Sequence, residues 1–159
     1  MTGAVPVAAV RPATDDDIAF VVALAERAAS TLEGGRGAAL MLARETPPPT
    51  AEQLALAVQS GDETVLVGTL DDVPVGAIAA RVERLPAGVR LAVVTLLFVD
   101  EEARSVSVGE GLLNAIVEWA RQKDCGSVDA YALPGERITK NFFEAAGFKA
   151  RLLTVHHDL

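Results

Sequence analysis

Residues 103–113 read ARSVSVGEGLL. One arginine, two serines and two glycines precede a stretch in which Leu112, Leu113, Ile116, Val117 and Ala120 recur at helical spacing. A loop that turns into a helix start gathers backbone N–H groups without intrahelical partners, at the positive end of the helix dipole. That arrangement suits a diphosphate. Gly109 and Gly111 let a ligand approach the main chain closely, and Arg104 can give a charge-assisted bond to a phosphate. Two familiar nucleotide loops do not fit. No Walker lysine follows the glycines, and there is no G-x-G-x-x-G. A nucleoside-triphosphate enzyme would also want metal-binding acids, which the pattern does not supply.

The elements that must position this loop follow from periodicity. Thr14 is the expected cap of a first helix running to about Ser30, with Asp15, Asp16 and Asp17 in its first turn. EGGRG interrupts it, a second helical piece covers 38–45, TPPPT is a rigid spacer, and Thr50 caps a helix through Gln59. From Thr64 the period shortens. TVLVGTL and VPVGAIAARVERL form a hairpin across DDVP, and VRLAVVTLLFVD is a third strand, apolar enough to be buried on both faces. After the 103–113 loop a helix runs to about Lys123. SVDAYAL, residues 127–133, is the next strand, closing a right-handed β–α–β unit. A short helix ends at Gly147, and KARLLTVHHDL closes as a last strand. The expected class is α/β (α+β), with a mostly antiparallel sheet, flanking helices and one domain over 1–159.

Bulk composition narrows the partners. The chain has 159 residues and a net charge of −8, which argues against nucleic acid and against an anionic membrane surface. No run approaches the roughly 18 apolar residues of a membrane span, and the start has no basic leader. The lone Cys125 excludes an intramolecular disulfide and suits a reducing, cytoplasmic setting. No Cys, His and carboxylate cluster suggests a metal.

The pattern R104-S-V-S107-V-G109, after a strand ending in Val99, resembles the diphosphate loop of the GNAT superfamily of acyl-CoA-dependent N-acyltransferases. Ser107 stands where the family has glycine; it keeps the backbone N–H. The element order matches along nearly the whole chain, and NFFEAAGF resembles the family's FY-x-x-x-GF helix. The resemblance implies that acetyl-CoA, or another acyl-CoA, lies between two splayed central strands. Leu97, Phe98 and Val99 would meet the pantetheine arm. Arg104, Ser105, Val106, Ser107, Val108, Gly109, Glu110 and Gly111 would hold the diphosphate. A small-molecule or protein amine would attack the thioester directly, and the backbone N–H groups near Leu97 are candidate oxyanion donors. No metal is implied, and a homodimer is common among relatives.

Three positions depart from the family pattern. Phe143 stands where a tyrosine often protonates the leaving thiolate, Thr95 where a glutamate often serves as base, and Glu136 where an asparagine is frequent. Losing one acid or base costs about 10²- to 10⁴-fold, whereas positioning two reactants contributes up to about 7–11 kcal/mol. The primary expectation is therefore an N-acyltransferase. The alternative is a catalytically degenerate acyl-CoA-binding or partner-binding module on the same fold. Tyr131, on the strand bordering the cleft, is the candidate replacement donor, or else a half-buried strand tyrosine. His156 and His157, adjacent on the last strand, would point to opposite faces, so at most one could reach the cleft. Arg81 and Glu83 share a face of the second strand, either toward an acceptor or as a solvated edge. Trp119, off the main apolar stripe of its helix, marks a subunit contact or a partly covered ring.

Overall fold

A computed structural model describes residues 5–104 and 107–159. Five strands form one sheet in the order β1-β2-β3-β4-β5. β1 (Ala8–Pro12), β2 (Glu63–Leu70), β3 (Val73–Arg84) and β4 (Arg90–Val99) are antiparallel neighbours, and β5 (Ser127–Asp129) runs parallel to β4. The helices are α1 (Ile18–Leu32), α2 (Ala38–Leu40), α3 (Ala51–Gln59), α4 (Val108–Gln122) and α5 (Arg137–Ala145).

Sequence dictates most of these boundaries. The β2–β3 hairpin turns on Asp71 and Asp72, both with positive φ (46° and 65°), the conformation that matches the twist of the flanking strands. Thr50 and Gln53 cap α3 reciprocally: the Thr50 hydroxyl accepts from the Gln53 N–H at 3.2 Å, and the Gln53 side chain accepts from the Thr50 N–H at 2.9 Å. At the start of α1 the acceptor is Asp17, in a short 3₁₀ turn ahead of the helix. Its carboxylate takes the Thr14 N–H at 2.8 Å and both Arg11 terminal nitrogens at 2.7 and 2.9 Å. The Arg11 guanidinium, then the Thr14 amide, hold the buried Asp17 carboxyl down at about 2, against the cost of burial.

Two apolar layers flank the sheet, and strand alternation assigns them. Val65, Val67, Ala77 and Ala79 pack with Val21, Leu24 and Leu54 of α1 and α3. Leu66, Ile78 and Ala80 pack with Leu112, Leu113 and Ile116 of α4 and with Phe143 of α5. Trp119 lies partly covered against this second layer.

The structure corrects four expectations. β1 was not anticipated; AAVRP lacks clean alternation and ends in a proline, which a sheet edge tolerates. Residues 41–45 form a π-helical turn rather than a continuation of the helix at 38. The strand expected over 127–133 stops at Asp129, so Tyr131 lies beyond it. The closing strand is absent: residues 149–159 form no regular structure and are exposed, including Leu152, Leu153 and Val155. Strand preference is realised only against a partner ladder, and β5 offers three residues. His156 and His157 are therefore not on a strand. His156 faces Asp158 at 3.0 Å, with its side chain exposed.

Candidate active site

The site begins with one extra residue. β3 and β4 pair Ala79 with Leu96 and Ala80 with Val94, so Thr95 has no opposite number and forms a β-bulge. The bulge reverses the alternation of β4. Val94 faces the α4 layer, yet Leu96 and Phe98 face the α1 layer while Leu97 and Val99 return to α4. Sharper local twist accompanies a bulge, and the contact with β5 ends just before it. Only Leu91, Ala92 and Val93 pair with Ser127, Val128 and Asp129. Beyond them β4 presents an edge that β5 does not pair.

The strands part around a cleft of about 590 Å³. Residues 94–99 form one wall and 131–133 the other. Ala25, Ala28 and Ala29 of α1 lie on one side, and Phe142 and Phe143 of α5 on the other. The segment 46–49, TPPP, borders it as well. Thr95 lines this cleft, but a hydroxyl cannot act as a base at neutral pH. Phe143 is buried, edge-on to Phe142 and tilted against Phe148, a packing role with no proton to give.

At one end the cleft meets the start of α4. Ser107 precedes the helix and makes no side-chain cap, leaving the first-turn amides free of that usual partner. Arg104 lines the cleft here. Its Nε donates to the Val99 carbonyl at 3.0 Å, and its guanidinium stands 5.1 Å from the Phe98 ring centre. Arg27, ion-paired with Asp100 at 2.7 Å, reaches the same ring at 6.0 Å. One Arg104 nitrogen is thus spent on fixing the side chain, and the terminal pair has no carboxylate partner among the described residues.

The residues expected to hold a coenzyme divide in the structure. Leu97, Phe98, Val99, Arg104, Ser107, Gly109 and Glu110 line the cleft. Val108 is buried in the α4 layer and offers only its main chain. Gly111 faces β1, where a side-chain carbon would stand 3.2 Å from Val10. Gly109 packs beside Phe142, 3.4 Å from where its side-chain carbon would be. Close packing thus accounts for Gly111, and for part of Gly109. Ser105 and Val106 lie outside the described residues.

At the other end stands Tyr131, half-buried in the cleft wall. Burial first, and then the nearby Glu45 carboxylate, push its phenol above the ordinary tyrosine range. Glu45 ends the π-helical turn and was not singled out from the sequence. Arg81 and Glu83, paired at 2.6 Å, add smaller and opposing influences on the same hydroxyl. Among the described residues no group of three or more His, Cys, Asp or Glu side chains could hold a metal ion, and no helix is long and apolar enough to cross a membrane.

A profile of the acetyltransferase (GNAT) family matches residues 36–148, so the chain belongs to that family, whose members are N-acetyltransferases. Solved structures share the fold. The BH1408 protein of Bacillus halodurans superposes with a TM-score of 0.79 at 19% identity, covering 95% of this chain and 99% of that one. An aminoglycoside acetyltransferase from an uncultured soil metagenomic sample gives 0.70 at 16% identity, with 96% of each chain covered. AAC(6')-Iy, solved with the bisubstrate analogue CoA-S-monomethyl-acetylneamine, gives 0.70 at 16% identity, covering 96% of this chain and 99% of that one. No curated protein sequence matches this chain.

Proposed function

We propose that this chain, acting as one domain over residues 1–159, moves an acetyl group from acetyl-CoA to a primary amine by direct attack on the thioester. One observation carries the reading: a strand edge released by the Thr95 bulge and a helix start without a side-chain cap open onto the same cleft. The free edge at 94–99 suits the amides of a pantetheine arm. The α4 amides and Arg104 suit the diphosphate, because main-chain donors and a guanidinium both favour charged oxygens. The neighbour solved with a CoA-linked aminoglycoside analogue supports a cleft of this form that holds coenzyme and amine together.

Three tasks remain once the reactants are held. The ammonium must lose a proton, the developing oxyanion must be met, and the thiolate must be solvated or protonated. Main-chain N–H groups near Leu97 take the oxyanion. Tyr131 serves the thiolate; a phenol held above its usual range stays neutral at neutral pH and keeps its hydrogen to donate. The amide C–N bond forms as the C–S bond breaks.

Free-thiol release from acetyl-CoA over a panel of amines tests this. Release above the uncatalysed rate with at least one amine is expected. A folded protein that binds CoA and releases no thiol would instead be a coenzyme-binding module, a second reading favoured by Thr95 and Phe143 at the family's usual acid and base positions. Thermal shift with CoA separates that module from a chain that does not bind the coenzyme at all.

A further inference from the structure

We propose that Glu110 is the cleft's own anion: its carboxylate competes with the coenzyme diphosphate for the start of α4 and so limits how tightly a phosphate-bearing donor is held. This deepens the acetyl-transfer reading and rests on it. Its root is a cap that the sequence spells and the structure leaves open. Ser107-Val108-Gly109-Glu110 has the S-x-x-E spacing of a reciprocal cap, in which the acid three places on turns back to the N–H of the cap residue. Two other helical starts in this chain make that return contact. Asp17 accepts from the Thr14 N–H at 2.8 Å, and the Gln53 side chain accepts from the Thr50 N–H at 2.9 Å. At α4 the residue in the same place, Glu110, does not. It is exposed and lines the cleft, with no hydrogen-bond or ion-pair partner for its carboxylate among the described residues.

The Gly111 N–H makes the first intrahelical bond, to the Ser107 carbonyl at 2.9 Å, so the amides of Val108, Gly109 and Glu110 lie ahead of the ladder. These are the amides that suit a diphosphate. Glu110 therefore offers the same ligand a main-chain donor and a like charge. The positive end of a helix favours a carboxylate as it favours a phosphate. Turned back, the carboxylate takes the place of a phosphate oxygen; turned out, as in this structure, it still faces one across the first turn.

The other charges do not relieve this conflict. Among the described residues that line the cleft, Arg104 is the only cation, against the carboxylates of Glu110 and Glu136. Arg104 has already committed one nitrogen to the Val99 carbonyl. Main-chain amides and the helix dipole must then outweigh the repulsion. That repulsion falls on the phosphates and spares the pantetheine arm, whose amides suit the uncharged edge of β4 at 94–99. Glu110 thus weighs donors by the charge on their nucleotide end.

Calorimetry on the full chain with CoA, and with pantetheine, which lacks the phosphates, tests this. Glu110→Gln should tighten CoA by at least about threefold in low salt, because it removes a like charge near the diphosphate. The gain should shrink in about 1 M salt, where screening acts within about 3 Å. Pantetheine affinity should not move. Glu110→Asp keeps the charge and should bind CoA within about twofold of the native chain. Unchanged or weaker CoA binding by Glu110→Gln would overturn the inference and leave the coenzyme site standing. Equal tightening of pantetheine, or of CoA by Glu110→Asp, would overturn it as well, since the effect would not run through charge on the phosphates. A native chain that binds neither ligand would sink the acetyl-transfer reading, and this inference with it.

Discussion

The two ends of the cleft are built from different material. Toward α4 the polar groups are mostly main chain: the edge of β4 beyond Thr95 and the amides of the first helical turn. Toward Tyr131 they are side chains, the phenol itself and the Arg81–Glu83 ion pair on β3 that bears on it. Main-chain groups keep their chemistry through sequence change, so the first end can persist while Ser107 replaces a glycine. Side-chain groups change with single substitutions. On the proposed reading, a coenzyme common to many relatives would meet the first kind of surface, and an acceptor particular to one protein the second.

Substitutions at each end sharpen this contrast. Tyr131→Phe should lower kcat by about 10²-fold while leaving CoA affinity unchanged, since it removes the donor and no coenzyme contact. Steady-state kinetics beside CoA calorimetry would check it, and an unaltered kcat would return the tyrosine to a packing role. Gly68→Ala should act on the main-chain end without touching it. Its new carbon would sit 2.4 Å from Val108 at the start of α4. We expect a stability loss of about 1–3 kcal/mol in denaturant unfolding, with weaker CoA binding as the helix start shifts. Arg104→Glu should weaken CoA more than about tenfold with the fold intact, because it sets a negative charge beside phosphates. Unchanged affinity would give this loop another job. Ser107→Gly should change CoA affinity by less than about twofold, since the hydroxyl caps nothing and the amide remains. A large loss there would mean the side chain, not the backbone, does the holding.

Legibility in the sequence followed the same division. The hairpin across Asp71 and Asp72, β4 and α4 were readable because each is signalled by local period or spacing. The Thr95 bulge was not, because a strand apolar on both faces carries no alternation for an extra residue to disturb. β1 was hidden by its small residues. The exposed segment 149–159 misled through its strand-like composition, which had no ladder to join. Tyr131 was found as a residue but placed on a strand that ends two positions earlier. The π-helical turn at Met41–Glu45, whose Met41 and Leu42 line the cleft, was missed because it carries no composition cue.

The supernumerary threonine in β4 is also separable from the core that surrounds it. Excising Thr95 would restore a regular two-residue repeat, with Val94 and Leu97 still on the α4 layer and Leu96 and Phe98 still on the α1 layer, and would make the Ala79–Leu96 and Ala80–Val94 rungs consecutive. Both apolar layers would survive, while β5 could zip further along its neighbour. The gap in the sheet would heal, and with it would vanish the room for two reactants.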